Sequence, residues 1–265
     1  MAANTTRGRK TLAIDVGGSG LKAIVLDAAG EPITDRVRTP TPYPLPPDRL
    51  VYALVELVAS LPAFDRVSVG FPGVVRDGRV ITAPNLSRKS GPGSSVDTTI
   101  QALWAGCPLA DELADKLGKP VRIANDADLQ AAAVVSGQGI EVVLTLGTGL
   151  GSSVYRDGRL ALHLEMGHHP FRDGATYEEL IGEVGRDKLG KKKWNKLVAQ
   201  AVETIDRLLV PDRIYIGGGN AKKISVDLGP TVTVVDNQAG LLGGMKLWRR
   251  GGLEAAPTPP ATRAT

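Results

Sequence analysis

The chain is 265 residues long, 42% hydrophobic and 23% charged, with a net charge of +4. That is globular composition, long enough for one large domain or two small ones, and the mild basic excess permits an anionic partner without naming one. A single cysteine, Cys107, excludes an internal disulfide and a cysteine zinc cluster. No apolar run approaches the roughly 20 residues that span a bilayer, and the N-terminus, MAANTTRGRK, is polar and basic with no signal-peptide core. The expectation is a cytoplasmic protein without a membrane partner, with flexible tails at 1–10 and 251–265 where small residues and prolines cannot build a core.

In chain order, TLAIDV (Thr11–Val16) reads as an apolar strand, GGSG as a turn, and LKAIVL (Leu21–Leu26) as a second strand. ITDRVR (Ile33–Arg38) reads as a third, followed by a proline-rich connector, TPTPYPLPPD. Leu50, Leu54, Leu57, Val58 and Leu61 recur at helical spacing, and RVSVGF (Arg66–Phe71) alternates as a strand does. Residues 84–98 are polar and turn-rich and read as a loop. A helix is expected over Leu109–Leu117 with Gly118 as its stop, then a strand, PVRIA, and a helix over Asp126–Ser136. Strands EVVLTLG, SSVYR and RLALHL follow. From Lys193 the residues Trp194, Leu197, Val198, Ala201, Ile205 and Leu208 share one helical face. RIYIGGG is strand into glycine turn, TVTVV a last strand, and Gln238–Arg249 a last helix.

Helices between strands argue for α/β layers. A strand that enters a glycine turn and returns as a second strand occurs twice, at AIDVGGSGLKAIVL and at LTLGTGLGSSVY. Two such halves imply two similar domains with a cleft between them; the alternative is two unrelated hairpins, since strand–glycine–strand units are common.

Several constellations carry chemistry. The loop after Asp15, with Gly17, Gly18, Ser19 and Gly20, brings backbone N–H groups close to an oxyanion with no Cβ in the way. Its spacing is neither a P-loop nor a dinucleotide fingerprint, because a strand follows instead of a helix. Asp15 can hold Mg²⁺ against a phosphate; equally, it can end an ordinary turn. Gly147, Thr148 and Gly149 repeat the arrangement with a hydroxyl added. Asn125 and Asp126 fall between a strand and a helix, where a carboxylate serves as a general base or merely caps the helix. Glu165 and His168 are three apart and suit a polyol, or one of them is simply a surface group. The run Gly190–Lys196 (GKKKWNK) can meet a polyanion or be a solvated helix start.

Taken in order, LAIDVGGSGLKA, VGFPGVV, NDADLQA, LTLGTGLGS, EMGHH and YIGGG resemble the sugar kinases of the ROK family, and within it the bacterial polyphosphate glucokinase branch, over roughly residues 11–250. The resemblance implies an α/β, two-domain actin/hexokinase-like ATPase fold (ribonuclease H-like) with the active site in the interdomain cleft. It implies an N-terminal domain at 11–124, completed by helix 238–249, and a C-terminal domain at 125–237. It implies transfer of a phosphoryl group from polyphosphate or ATP to the 6-hydroxyl of glucose or a related hexose, with Asp126 as base. Asn85, Asn125, Glu165 and His168 would hold the sugar. Gly17, Gly18, Ser19, Gly20, Lys22, Gly147, Thr148 and Gly149 would bind phosphate, Gly218, Gly219 and Asn220 the adenosine end of ATP, and Asp15 the Mg²⁺ ion. A homodimer without nucleic acid is expected, since ten residues before the first strand leave no room for a helix-turn-helix. Alternatives are a strictly ATP-dependent kinase and a non-catalytic sugar sensor.

The sequence departs from the family pattern in three places. The zinc motif C-x-C-G-x-x-G-C is absent, as it is from polyphosphate glucokinases, so no zinc site is expected. The family glutamate that follows it has two possible counterparts, Glu178 and Glu179. The loop SRKSGPGSSVDTTIQA is longer than expected.

Overall fold

A computed structural model describes residues 8–235, 242–248 and 253. Two five-stranded sheets organise the chain. In the first, β1 (Thr11–Val16), β2 (Gly20–Leu26), β3 (Val37–Pro40), β4 (Arg66–Phe71) and β7 (Val121–Asn125) lie in the order β3-β2-β1-β4-β7. In the second, β8 (Ile140–Leu146), β9 (Leu150–Arg156), β10 (Arg159–Leu164), β13 (Arg213–Gly217) and β14 (Val232–Val234) lie in the order β10-β9-β8-β13-β14. Each sheet is an antiparallel three-strand meander extended by two parallel strands. The two halves therefore share one topology, and the glycine turns join corresponding strands in each.

Burial follows from this pattern. Every residue of β4 is buried, as a central strand covered on both faces requires. Helices α1 (Pro47–Val58) and α3 (Leu109–Leu117) cover one face of the first sheet with Leu50, Leu54, Leu109 and Leu113. Gly118 ends α3 in a left-handed conformation, φ 63°, which glycine adopts at no steric cost. The second sheet packs on α6 (Glu183–Leu209) through Trp194, Val198, Ala201 and Ile205. Helix α4 (Asp126–Val134) joins Leu129, Ala131 and Ala132 to Val143, Tyr155, Tyr215 and Leu247. Leu247 belongs to a 3-10 helix, Leu242–Trp248, whose Met245 packs on Ala13, Ile24 and Leu26 of the first sheet.

Four expectations change. The third strand is Val37–Pro40 in place of Ile33–Arg38, because it must lie opposite Gly20–Ala23, while the Thr34 hydroxyl accepts from the Val25 N–H and turns the chain beforehand. The long helix begins at Glu183 and breaks at Gly190 (φ 75°, ψ 160°), so Lys193 lies inside it. The polar loop at 84–98 carries an Arg88–Val96 bridge and runs into α2 (Thr98–Trp104), capped by the Asp97 carboxylate. The helix expected at 238–249 is, over its described part, the 3-10 turn Leu242–Trp248; the rest of it and most of the expected tails lie outside the described residues. Small hairpins β5–β6 (Val75–Arg76, Arg79–Val80) and β11–β12 (Pro170–Arg172, Ala175–Thr176) and helix α5 (Tyr177–Ile181) complete the fold.

Candidate active site

A cleft of about 400 Å³ opens where the parallel strands of both sheets end, the usual ligand position in open α/β sheets. Its walls include Gly17, Gly18, Asn85, Asn125, Asp126, Gly147, Thr148, Gly149, Glu165, His168, Gly218 and Gly219. These twelve, and Glu178 as a thirteenth, are residues singled out in the sequence that converge on one space. Ser19, Gly20, Lys22, Asp15 and Asn220 do not line it.

The first glycine hairpin closes with Gly17 N–H donating to Gly20 O at 3.0 Å. Its carbonyls are taken from behind: Thr41 Oγ1 donates to Gly17 O at 2.6 Å, and the Tyr43 hydroxyl lies 2.9 Å from Gly18 O and 3.0 Å from Asn85 O. The Gly18 and Ser19 N–H groups have no hydrogen-bond partner among the described residues. The second hairpin closes with Gly147 N–H donating to Gly149 O at 3.0 Å, and Glu183 N–H donates to Thr148 O at 3.1 Å. Thr148 and Gly149 N–H groups are likewise unpartnered among the described residues. Two sets of free amides therefore belong to loops on opposite walls, as an oxyanion chain requires.

Asn220 turns out to be a brace. Its Nδ2 donates to Gly147 O at 2.8 Å, its Oδ1 accepts from Arg186, and it is 4% exposed. Its amide is spent on holding the second hairpin to α6. Asp15 and Lys22 face each other across β1 and β2 in an ion pair of 2.9 Å.

Asn125 and Asp126 divide the two jobs that the sequence left open. Asn125 Oδ1 accepts from the N–H groups of Ala127 (2.8 Å) and Asp128 (3.2 Å), and its Nδ2 donates to Gly73 O at 3.0 Å. It is the helix cap. Asp126 shares the Ala127 N–H, on its Oδ1 at 2.8 Å, and with the cap held by Asn125 it opens onto the cleft. Burial pushes its carboxyl up to about 7; that N–H pulls the other way, and the charges of Asp15 and Asp128 add to the rise. A carboxylate poised near neutrality can accept a proton at working pH.

On the facing wall, Ser152 Oγ donates to Leu164 O at 2.6 Å and accepts from Met166 N–H at 3.3 Å. This fixes the turn that carries Glu165 and His168, whose Oε2 and Nε2 are 3.7 Å apart. Glu178 and Glu179 part company. Thr176 and Glu179 form a reciprocal capping box at the start of α5, at 2.8 and 3.2 Å. Glu178 instead lines the cleft beside Gly149, where a Cβ would come within 2.2 Å of its Oε2. Gln130 also lines the cleft. Thr41, Tyr43 and Gln130 were not singled out in the sequence. The proline-rich connector gave no sign that it buttresses a loop, and Gln130 was visible only as one helical turn beyond Asp126.

A doubled α/β unit that closes two glycine hairpins around a polar cleft defines the actin/hexokinase-like class. Residues 11–188 match the ROK family, and the chain belongs to it. Among its relatives is the polyphosphate glucokinase of Mycobacterium tuberculosis (strain CDC 1551 / Oshkosh), 31% identical over 90% of this chain and 91% of that one. The polyphosphate glucokinase of Mycobacterium leprae (strain TN) is 31% identical over 83% of this chain and 67% of its own. The crystal structure of an inorganic polyphosphate/ATP-glucomannokinase from Arthrobacter sp. strain KM superposes with a TM-score of 0.74 and 29% identity, over 89% of this chain and 97% of that one. A ROK family glucokinase from Streptomyces griseus, solved with glucose and AMPPNP, shares the fold at a TM-score of 0.68 and 20% identity, over 90% and 98%.

Proposed function

We propose that the chain is a sugar kinase that transfers the terminal phosphoryl group of polyphosphate or ATP to the 6-hydroxyl of glucose or a closely related hexose. The observation that carries this reading is Asp126: a carboxylate freed from capping by Asn125, raised toward neutrality, and set in a cleft between two hairpins of free amides. In this reading Asp126 accepts the hydroxyl proton as the sugar oxygen bonds to phosphorus, and the departing phosphate keeps the electron pair of the broken P–O bond. Asn85, the one unspent N–H of Asn125, Glu165, His168 and Glu178 orient the sugar hydroxyls. Gly18, Ser19, Thr148 and Gly149 donate N–H groups to the donor phosphates, and Gly218 with Gly219 leaves room for the rest of the donor.

A Mg²⁺ ion carried by the donor would be met through water by Asp15, the penultimate residue of β1, whose carboxylate pairs with Lys22 and does not itself line the cleft; the ion would neutralise phosphate charge. Among the described residues no group of three His, Cys, Asp or Glu side chains could hold a metal, so phosphate and water would supply its ligands. The relatives named polyphosphate glucokinase favour polyphosphate as one donor and glucose as acceptor. We assign residues 11–124 and 125–237 to two domains, the first completed by the 3-10 helix near the C-terminus.

The test is a coupled assay for glucose 6-phosphate with each donor, on the wild type and on Asp126→Asn. Turnover should fall by at least ~10²-fold in the variant, with its fold retained by circular dichroism. A variant that keeps more than about a tenth of wild-type turnover would remove Asp126 from the role of base. A wild type inert with both donors, yet binding glucose, would point to a sugar sensor.

A further inference from the structure

Outside the cleft, the α6 segment after the first turn is unusually one-sided in charge. Lys188, Lys191, Lys192, Lys193 and Lys196 fall within nine residues that contain no acid. All five are exposed. The nearest acids are already used, since Arg186 holds Asp187 at 2.6 Å and Glu183 at 3.3 Å. None of the five ammonium groups pairs with a carboxylate among the described residues.

A second basic pair is docked beside them. Asn195, 1% exposed, accepts from Ser225 N–H at 2.7 Å on Oδ1. Its Nδ2 lies 2.9 Å from Lys191 O and 3.4 Å from Lys223 O. One buried amide therefore ties the start of the lysine run to the 3-10 helix Ala221–Lys223, where Lys222 and Lys223 are exposed and also unpaired among the described residues. That short helix begins just past Gly218 and Gly219, which line the cleft. Two residues, Asn220 and Ala221, separate Gly219 from Lys222, so the span is at most about 11 Å of chain. Gly219 lines the cleft, Lys222 and Lys223 follow it in the chain, and Asn195 joins Lys223 to Lys191 of α6.

The fold draws no visible benefit from this charge. Trp194, Val198 and Ala201 supply the packing of the helix and Asn195 its polar anchor. Lys192 and Lys196 are spaced i, i+4, an arrangement that costs stability when both carry the same sign. Seven uncompensated cations running from a phosphate-binding cleft call for a long anion from solution.

We infer that Lys222, Lys223 and the α6 lysines form a track along which a linear inorganic polyphosphate leaves the cleft, its reacting end lying between the glycine hairpins. The inference rests on the donor reading given above and extends it to a subsite outside the cleft. ATP ends within the cleft and does not reach the track. Contacts of this kind are made with phosphate charge and weaken steeply with salt, by the counterion release known for nucleic acids.

Direct titration of long-chain polyphosphate, tripolyphosphate and ATP, without sugar, tests the track independently of catalysis. The variants are Lys191→Ala/Lys192→Ala/Lys193→Ala and Lys222→Ala/Lys223→Ala, with the triple Lys→Arg change as a control that keeps the charge. Each Ala variant should bind long-chain polyphosphate about tenfold more weakly, while tripolyphosphate and ATP change by less than about twofold. The slope of log affinity against log salt should flatten by ~0.7 for each lysine that no longer meets a phosphate. The Arg control should behave as wild type. Loss of long-chain binding in a protein that phosphorylates no sugar would leave the track standing and sink the kinase reading. Unchanged long-chain binding, equal loss for all three ligands, or tighter binding of single-stranded RNA than of polyphosphate would overturn the track, whatever the activity.

Discussion

Asp126 pulls activity and stability in opposite directions. Its carboxyl, raised to about 7 in the folded chain, has an ordinary value near 4 when unfolded. The folded state therefore binds this proton more tightly than the unfolded state. The group's contribution to stability is complete below about pH 4 and is lost as pH rises through about 7. At pH 8 the protein carries a carboxylate that its surroundings disfavour. Replacing Asp126 by Asn removes the charge while keeping the shape, so Asp126→Asn should melt above the wild type at pH 8. At 1.36 kcal/mol per pKa unit the ceiling of that gain is on the order of 4 kcal/mol. The gap should close near pH 4 to 5. In parallel, if Asp126 is the base proposed above, wild-type kcat/KM should fall about tenfold per unit below pH 7 as its carboxylate becomes protonated. Melting curves of both proteins across this range check the argument. A variant less stable than wild type at pH 8 would mean that Asp126 is held by favourable contacts instead of strained by burial.

At the scale of elements, the second hairpin and its braces separate chemistry from folding. A Cβ at Gly149 would meet Glu178 Oε2 at 2.2 Å, the far end of a side chain that can swing away. A Cβ at Gly218 would meet Leu146 O at 2.3 Å, fixed backbone in β8, and Gly218 sits at φ 91°. Gly149→Ala should therefore leave stability within about 1 kcal/mol of wild type while displacing Glu178, raising the sugar KM or lowering kcat. Gly218→Ala should cost about 1–3 kcal/mol through strain and overlap. Thermal unfolding and steady-state kinetics on both variants tell the two apart; equal stability losses would refute the distinction. The hairpins and the Asn125–Asp126 pair were legible in the sequence because glycine spacing and a strand–acid–helix junction leave local marks. Thr41 and Tyr43 were not, because they act through contacts 24 to 42 residues distant in sequence. The first half of α6 was hidden too, since EVGRDKL shows no apolar stripe. The spacing Thr176-x-x-Glu179 already carried the capping-box signature that separates Glu179 from Glu178, but a box counts only where a helix starts, and a five-residue α5 leaves little periodicity to show that.

Across the whole molecule, two copies of one sheet topology meet along α4 and the 3-10 helix Leu242–Trp248. That short helix is wedged between the halves. Ser68 Oγ on β4 donates to Gly244 O at 2.7 Å and accepts from Trp248 Nε1 at 2.9 Å. The guanidinium groups of Arg66 and Arg122 lie 5.3 and 4.7 Å from the Trp248 ring centre, within cation–π range. On the other side Leu247 packs with Leu129 and Ala132 of α4, the helix that begins at Asp126. The sequence showed the doubling, because each copy carries its own glycine turn; that the C-terminal segment returns to the first half was expected from the family resemblance alone, since its contacts lie some 125 to 180 residues away along the chain and leave no local mark. The closest of them is at Gly243, where a Cβ would lie 1.7 Å from the Leu129 carbonyl oxygen. Backbone on both sides leaves no side chain to yield, so Gly243→Ala must push the wedge away from α4. The expected cost is about 1–3 kcal/mol or more, together with a fall in kcat, because the N-terminal end of α4 carries Asp126 into the cleft. Gly219→Ala serves as the stability control, since nothing lies within 4 Å of its added Cβ. If Gly243→Ala melts with the wild type and keeps its kcat, the C-terminal segment does not hold α4 in place, and the base is set by Asn125 and the strand ends alone.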